Sequence, residues 1–233
     1  MDYQTISSQM KTIGLICEGV SEINIMTRIL SKYLNDNVIV NPIEPETKTE
    51  NGVLIQNGYG GWQQVLAHCN DETVEKILDF NDYLLIQIDT DASIQKGYNV
   101  SPLDANGTPK DVAVFFQDIK KRLLANISDA VQAKYEGRIV FAICMNEIEC
   151  WLLPLYYNDK NRCKTNNCIF ALNHALDKKN LGGIPDKDKN GVFARNVYQK
   201  ILKNFKNRKT IQDCAQYHFG FSELTKQLDT IVI

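Results

Sequence analysis

The sequence predicts an α/β fold with a mostly parallel central sheet of about four strands between layers of helices. Three short apolar runs carry the prediction, at residues 12–17, 83–88 and 138–144. Runs of this length and composition are typical of strands that are buried on both faces. Helical patterns separate the runs, and alternating strands and helices favour a parallel sheet. The chain has 233 residues, enough for one large domain or a domain with an appendage.

The elements follow in order along the chain. Ser21 is placed to cap the first helix, whose apolar residues recur at helical spacing. Residues 44–52 are polar and predict a turn, and residues 111–134 predict one long amphipathic helix. The predicted strands lie at 12–17, 38–43, 53–56, 83–88 and 138–144, and the later helices at about 150–157 (broken near Pro154), 168–178, 192–205 and around 221–228.

Basic residues concentrate in the last third of the chain. Residues 160–209 hold 13 of the 26 Lys and Arg against three Asp, so this segment is near +10 although the whole chain is at −2. An acidic part beside a basic part suits a metal site served by a surface that binds phosphates. A solvated helix face explains the same charges. We expect residues 1–159 to form the catalytic core and residues 160–233 a basic, mostly helical extension packed on it.

Carboxylates follow each of the three apolar runs. Glu18 follows the first run, Asp89 and Asp91 follow the second, and Glu149 follows the third. Residues i and i+2 of an extended segment point to the same side, so Asp89 and Asp91 are expected to face one point. The carboxyl ends of parallel strands are where open α/β sheets bind ligands. Grouped carboxylate oxygens there predict a Mg²⁺ or Mn²⁺ site.

Three segments resemble motifs of Toprim domains. Cys17-Glu18-Gly19-Val20-Ser21-Glu22 resembles their Glu-Gly motif, with Cys17 where Val is usual, and Asp89-Thr90-Asp91 resembles their Asp-x-Asp motif. Glu149-Cys-Trp-Leu-Leu resembles a Glu-x-Trp-Leu-Leu segment of small stand-alone prokaryotic Toprim proteins, including RloB-like proteins. The resemblance covers about residues 11–155. It implies a Toprim fold, Mg²⁺-dependent phosphodiester chemistry on DNA or RNA, and a role in prokaryotic or phage defence, sometimes beside an ATPase.

The resemblance also implies roles for individual residues. Asp89 and Asp91 would hold a metal, and Glu18 would be a ligand or a general acid or base. Glu149 and Glu22 would complete the site or hold a second metal, with Glu147 adjacent to it. Outside the segments that carry the resemblance, Lys187 and Arg195 of the basic segment are the candidate contacts to substrate phosphate, although nothing in the sequence distinguishes them from surface charges. Several acids at one place should raise some carboxyl pKa values in the metal-free protein.

Two other functions stay open at this stage. The first is an accessory subunit that works only with an ATPase-containing partner complex. The second is a haloacid-dehalogenase-like phosphatase, because Asp89-Thr90-Asp91 resembles the nucleophile loop of that family. That family places the loop after its first strand and gives Glu18 no role. Topoisomerase and primase activities are not expected, and the sequence leaves open whether the chain forms a homo-oligomer.

Location and cysteine chemistry complete the expectations. No apolar run approaches the ~20 residues that span a bilayer, and the N-terminus lacks the pattern of a secretory signal, so we expect a cytoplasmic protein without a membrane partner. Among seven Cys, Cys17, Cys144 and Cys150 lie in apolar contexts, which predicts buried reduced thiols. The Cys and His residues of the last third (Cys163, Cys168, His174, Cys214 and His218) follow no known zinc-ligand spacing.

Overall fold

The computed structural model describes residues 10–50, 53–185 and 189–231. In these ranges the strands are β1 (Lys11–Ile16), β2 (Val38–Glu44), β3 (Thr47–Glu50), β4 (Val53–Gln56), β5 (Tyr83–Asp89) and β6 (Ile139–Cys144). The helices are α1 (Val20–Tyr33), α2 (Trp62–His68), α3 (Asp71–Phe80), α4 (Val112–Leu124), α5 (Asp129–Lys134), α6 (Cys168–Asp177), α7 (Val192–Leu202), α8 (Arg208–Ala215) and α9 (Phe219–Leu228). Two 3₁₀ helices cover Ile148–Leu155 and Lys160–Cys163.

The central sheet has four parallel strands in the order β2-β1-β5-β6, which confirms the predicted α/β class. Its side chains alternate between two apolar layers, as the two-residue period of a strand requires. Leu85 and Val140 face the layer that contains α1, the first 3₁₀ helix and α6–α9. Leu84 and Phe141 face the layer that contains α2–α5. The basic C-terminal helices therefore pack on the same core as α1.

The strand order places a topological switch point between β1 and β5. The chain passes from β1 through α1 to β2 on one side, and later adds β5 on the other side of β1. Crevices at such points, outside the carboxyl ends of the strands, are where α/β sheets bind ligands. Residues that directly follow β1 and end β5 therefore flank the predicted binding position.

Helix α9 covers the free edge of the sheet. The Gln227 side-chain amide accepts from the Phe141 N–H at 2.9 Å and donates to the Phe141 carbonyl at 3.0 Å. It thereby satisfies backbone groups that would otherwise be unpaired on edge strand β6. Gly220 lets the helix approach closely, because a Cβ at this position would lie 1.9 Å from the carbonyl oxygen of Ile143.

Two elements that the sequence did not predict are present, and one predicted helix is divided. The polar segment 44–52 contains β3, which forms an antiparallel hairpin with β4. The long helix expected over 111–134 is two helices, because Ser128 accepts from the Val131 N–H and starts α5 as an N-cap. The chain also forms α8 beyond the helix expected at 192–205, and Asn207 caps it by accepting from the Thr210 N–H.

The close contact at Gly220 gives a stability prediction. Gly220→Ala should lower the free energy of unfolding by about 1–3 kcal/mol, because the new methyl group must displace helix α9 from strand β6. Urea unfolding followed by circular dichroism measures the change. Gly183→Ala is the matched control, since its Cβ would meet its nearest atoms at an ordinary 3.5 Å. Equal stabilities of the two variants would contradict the contact between α9 and β6.

Candidate functional site

The candidate site lies at the switch point between β1 and β5. Glu18 lies two residues beyond the end of β1, and Asp89 is the last residue of β5. Because Leu85, Gln87 and Asp89 alternate along one strand, the Gln87 and Asp89 side chains face the layer of α1 and the C-terminal helices. That layer also supplies Glu22 from α1 and Glu149 from the first 3₁₀ helix.

Three hydrogen bonds fix Glu18 and Asp89 relative to each other. The Asp89 backbone N–H donates to Glu18 Oε1 at 2.7 Å. The Glu18 backbone N–H donates to Gln87 Oε1 at 3.2 Å, and Gln87 Nε2 donates to Asp89 Oδ1 at 2.8 Å. Gln87 is fully buried and connects the two strand ends. The two carboxylates are therefore held in place, with oxygen lone pairs left for other partners.

Glycines around Glu18 make room for this arrangement. Gly19 precedes α1, and a Cβ there would lie 2.6 Å from Glu22 Oε2. A Cβ on Gly60 would lie 2.4 Å from the Glu18 carbonyl oxygen, which accepts from the Gly61 N–H at 2.7 Å. The glycine-rich loop before α2 thus holds the backbone of Glu18.

Glu22 and Glu149 form a second, fully buried pair of carboxylates. Lys189 contacts both, with its Nζ 2.8 Å from Glu22 Oε1 and 3.9 Å from Glu149 Oε1. The Ser21 hydroxyl donates to Glu22 Oε2 at 2.8 Å, and the Tyr198 hydroxyl donates to Glu149 Oε1. Glu149 Oε2 is buried and has no hydrogen-bond partner among the described residues.

Asp91 differs from the other acids because it is exposed. Its backbone N–H donates to the Asn146 carbonyl at 3.2 Å, which ties the end of β5 to the turn after β6. Asp91 lines an open cleft of about 470 Å³ together with Asn146, Glu147, Asn166, Asn167, Ile169 and Phe170. A ligand in this cleft would reach Asp91 first.

The grouped charges shift the carboxyl pKa values as the sequence analysis expected. Burial raises the pKa of Glu18 to about 8, with further increases from Glu22 and Asp91. Burial and then the Glu18 charge raise the pKa of Asp89 well above its ordinary value, and burial also raises the pKa of Glu149. Burial opposes ionisation of Glu22 too, but the Lys189 ammonium outweighs it and lowers its pKa. The charges therefore favour a cation at Glu18 and Asp89.

The predicted phosphate contacts are placed differently from the acids. Lys187 lies outside the described residues. Arg195 is buried, and its Nη1 donates to the Leu54 carbonyl at 2.7 Å. This contact joins α7 to β4, so the expectation that Arg195 meets substrate phosphate is not supported: its guanidinium has almost no accessible surface.

The expectation of a reduced Cys150 is wrong, because Cys150 forms a disulfide with Cys168. The bond joins the 3₁₀ helix that carries Glu149 to the start of α6. Glu147 lies beside it and accepts from the backbone N–H groups of Cys168 and Ile169, at 2.7 and 3.2 Å. Glu147, Cys150 and Cys168 are close enough to suggest a metal-ligand group, but the disulfide removes both thiolates. Cys17 and Cys144 are free and buried, as expected.

Glu18, Asp89 and Asp91 are the acids that would hold a hard divalent cation. All three offer carboxylate oxygens, the ligands that Mg²⁺ and Mn²⁺ prefer. Burial raises the pKa of Glu18 and of Asp89, so without a cation beside them both carboxyl groups favour the protonated form. The unpartnered Glu149 Oε2 adds one more buried acceptor nearby. These residue types are ones that Mg²⁺ and Mn²⁺ accept, but among the described residues the group whose ligand atoms all lie within 4.8 Å of one another is Glu147, Cys150 and Cys168.

Sequence analysis missed three residues of the site. Gln87 carried a signal, because it is a polar side chain inside an otherwise apolar strand. Lys189 and Tyr198 carried none that distinguishes them from other residues of the basic segment. They reach the site only because α7 and the residues before it pack on α1.

Comparisons of the chain with protein-family models, curated proteins and solved structures found no match. The resemblance to Toprim domains therefore rests on the three motifs. Across the described residues, every helix is too short or too polar to cross a membrane.

The raised pKa of Glu18 gives a prediction for pH. In metal-free protein, the Glu18 carboxyl should titrate near pH 8 rather than at its ordinary 4.5. The unfolded chain loses this proton at a lower pH than the folded protein does. Glu18 should therefore lower the free energy of unfolding progressively as the pH rises from about 4.5 to 8, with no further decrease above pH 8. Added Mg²⁺ should lower the pKa.

Carboxyl ¹³C NMR measures this titration directly. Glu18→Gln assigns the signal, because it removes that titrating group and keeps the side chain's size. A Glu18 signal that titrates near 4.5 without metal would contradict the buried, charge-crowded site.

Proposed function

We propose that this protein is a Toprim-like, divalent-metal-dependent nuclease that hydrolyses phosphodiester bonds of DNA or RNA in prokaryotic or phage defence. One observation carries the proposal: Glu18 and Asp89 are fixed together at the switch point of a parallel sheet, next to the exposed Asp91 and its cleft. The three acids come from two motifs that resemble those of Toprim domains.

The acidic residues have different roles at the reacting phosphate. Asp89 and Asp91 would hold the divalent ion, with Glu18 beside them. A bound divalent ion would supply positive charge against the phosphate oxygens and would favour attack by water. Glu18 would act either as a further ligand of the ion or as a general acid or base toward the reacting oxygens. Gln87 holds Glu18 and Asp89 in fixed positions relative to each other through its two hydrogen bonds.

The cleft at Asp91 suits an exposed nucleotide strand. The side chain of Phe170 is 77% exposed at its rim, and Asn146, Asn166 and Asn167 line it. A base can stack on an exposed aromatic ring, and amides can donate to sugar and phosphate oxygens. The C-terminal extension also carries exposed lysines whose positive charge suits a nucleic-acid backbone: Lys178, Lys179, Lys200, Lys203, Lys206 and Lys209. Lys187 stays a predicted contact to phosphate.

The phosphatase alternative has weaker support. It needs Asp89 as an accessible nucleophile, but this side chain is buried and accepts from Gln87. It also leaves Glu18 without a role, although Glu18 contacts the backbone of Asp89.

A cleavage assay tests the proposed activity. Purified protein with Mg²⁺ or Mn²⁺ should cleave plasmid DNA, single-stranded DNA or tRNA, and EDTA should stop the reaction. Asp89→Asn and Glu18→Gln should each lower the rate roughly 100-fold or more, as expected for loss of a group that acts on the reacting atoms. Glu136→Gln is the control, because it removes an exposed acid elsewhere.

The outcomes separate the proposed function from its alternatives. Full activity in both site variants, or no cleavage together with no metal binding, would contradict the nuclease. Metal binding without cleavage would favour the accessory subunit that needs an ATPase-containing partner.

The exposed ring of Phe170 at the cleft gives a prediction for the binding of single-stranded nucleic acid. Phe170→Ala should weaken the affinity for a single-stranded oligonucleotide roughly 5- to 150-fold, since one base–aromatic stack contributes about 1–3 kcal/mol. Fluorescence anisotropy in EDTA measures binding without cleavage. Phe80→Ala is the matched control, because Phe80 is 80% exposed on α3 and does not line the cleft. Equal losses in both variants would place the bound strand elsewhere.

A further inference from the structure

Lys189 is a cation held inside the acidic cluster. Its ammonium lies 2.8 Å from Glu22 Oε1 and 3.9 Å from Glu149 Oε1, and both of these glutamates are fully buried. Within the described residues, no other Lys or Arg lies within 4.0 Å of a carboxylate oxygen of Glu18, Glu22, Asp89, Asp91 or Glu149. Buried carboxylates need such a partner, because an isolated buried charge costs several kcal/mol.

The residue after Lys189 fixes the position of the ammonium. Asn190 Oδ1 accepts from the Ser21 backbone N–H at 3.2 Å and lies 2.9 Å from the Ser21 hydroxyl oxygen. It also lies against Gly19, where a Cβ would be 3.1 Å from the Asn190 amide atoms. Lys189 is therefore placed by contacts to the start of α1, and not by its charge alone.

The second oxygen of Glu149 points to a cation-binding arrangement. Glu149 Oε1 accepts from Tyr198 and faces Lys189, but the buried Glu149 Oε2 has no partner among the described residues. Carboxylate oxygens of two buried glutamates match the ligand chemistry of a divalent ion. The Lys189 ammonium contacts both glutamates instead, through Glu22 Oε1 and Glu149 Oε1.

We infer that Lys189 takes the position of a second metal ion, so that the protein binds one divalent ion through Glu18, Asp89 and Asp91, and a lysine through Glu22 and Glu149. The first ion rests on the proposed function, whereas the second position rests on the contacts of Lys189. A tethered ammonium has a lower charge than a divalent ion and therefore repels an ion at Asp89 less. It also supplies positive charge without depending on the metal concentration.

Counting bound Mn²⁺ tests the inference. Equilibrium dialysis of the whole protein against Mn²⁺, followed by elemental analysis, should give one ion per chain for the wild type. Lys189→Met removes the ammonium and keeps the length of the side chain, so Glu22 and Glu149 should then bind an additional ion. Lys189→Arg keeps the charge and should bind one ion. Lys178→Met, an exposed lysine on the same segment, is the charge-matched control and should also bind one.

Each outcome decides a separate claim. Two ions in the wild type, or the same count in folded Lys189→Met as in the wild type, would overturn the inference. No ion in the wild type with one in Lys189→Met would overturn the proposed function and support the inference. If Lys189→Met does not fold, the number of ions bound by the wild type tests the inference alone. Two ions in the wild type would overturn it, because the second ion would occupy the position assigned to the ammonium.

Discussion

The buried charge at one end of the sheet is the constraint on which the rest of the site depends. Glu18, Glu22, Asp89 and Glu149 lie close together with little access to water, and their repulsion must be relieved by protonation, by a group of the protein or by an ion. Lys189 contacts one pair of these acids, Glu22 and Glu149. The other pair, Glu18 and Asp89, receives hydrogen bonds but no contacting cation among the described residues. The proposed metal would act at this second pair.

The fold delivers these groups through ordinary rules of α/β sheets. Parallel strands end at one edge, and the reversal of strand order beside β1 places the switch point between β1 and β5. Gly19 and Gly60 let the backbone and Glu22 approach Glu18 closely. The C-terminal helices then close the other side, where Lys189 and Tyr198 reach Glu22 and Glu149. The basic extension is therefore part of the site as well as a candidate surface for nucleic acid.

Local patterns predicted the sheet and the acids, because apolar runs and strand ends are encoded by neighbouring residues. The partners of the acids could not be predicted in this way. Lys189 is 167 residues from Glu22 in the sequence, and the Cys150–Cys168 disulfide depends on how the 3₁₀ helix meets α6. Strand β3 was missed because its residues are polar and its form depends on pairing with β4. Arg195 looked like a surface cation, but packing of α7 buries it against Leu54.

Anomalous diffraction from crystals grown with Mn²⁺ tests the central claim most directly, because it locates ions rather than inferring them from activity. The account predicts one peak beside the carboxylates of Glu18, Asp89 and Asp91, with the Lys189 ammonium still between Glu22 and Glu149. A peak between Glu22 and Glu149 with Lys189 displaced would contradict the role of the lysine. The absence of any peak at Asp89, at a Mn²⁺ concentration that supports cleavage, would contradict the metal site itself.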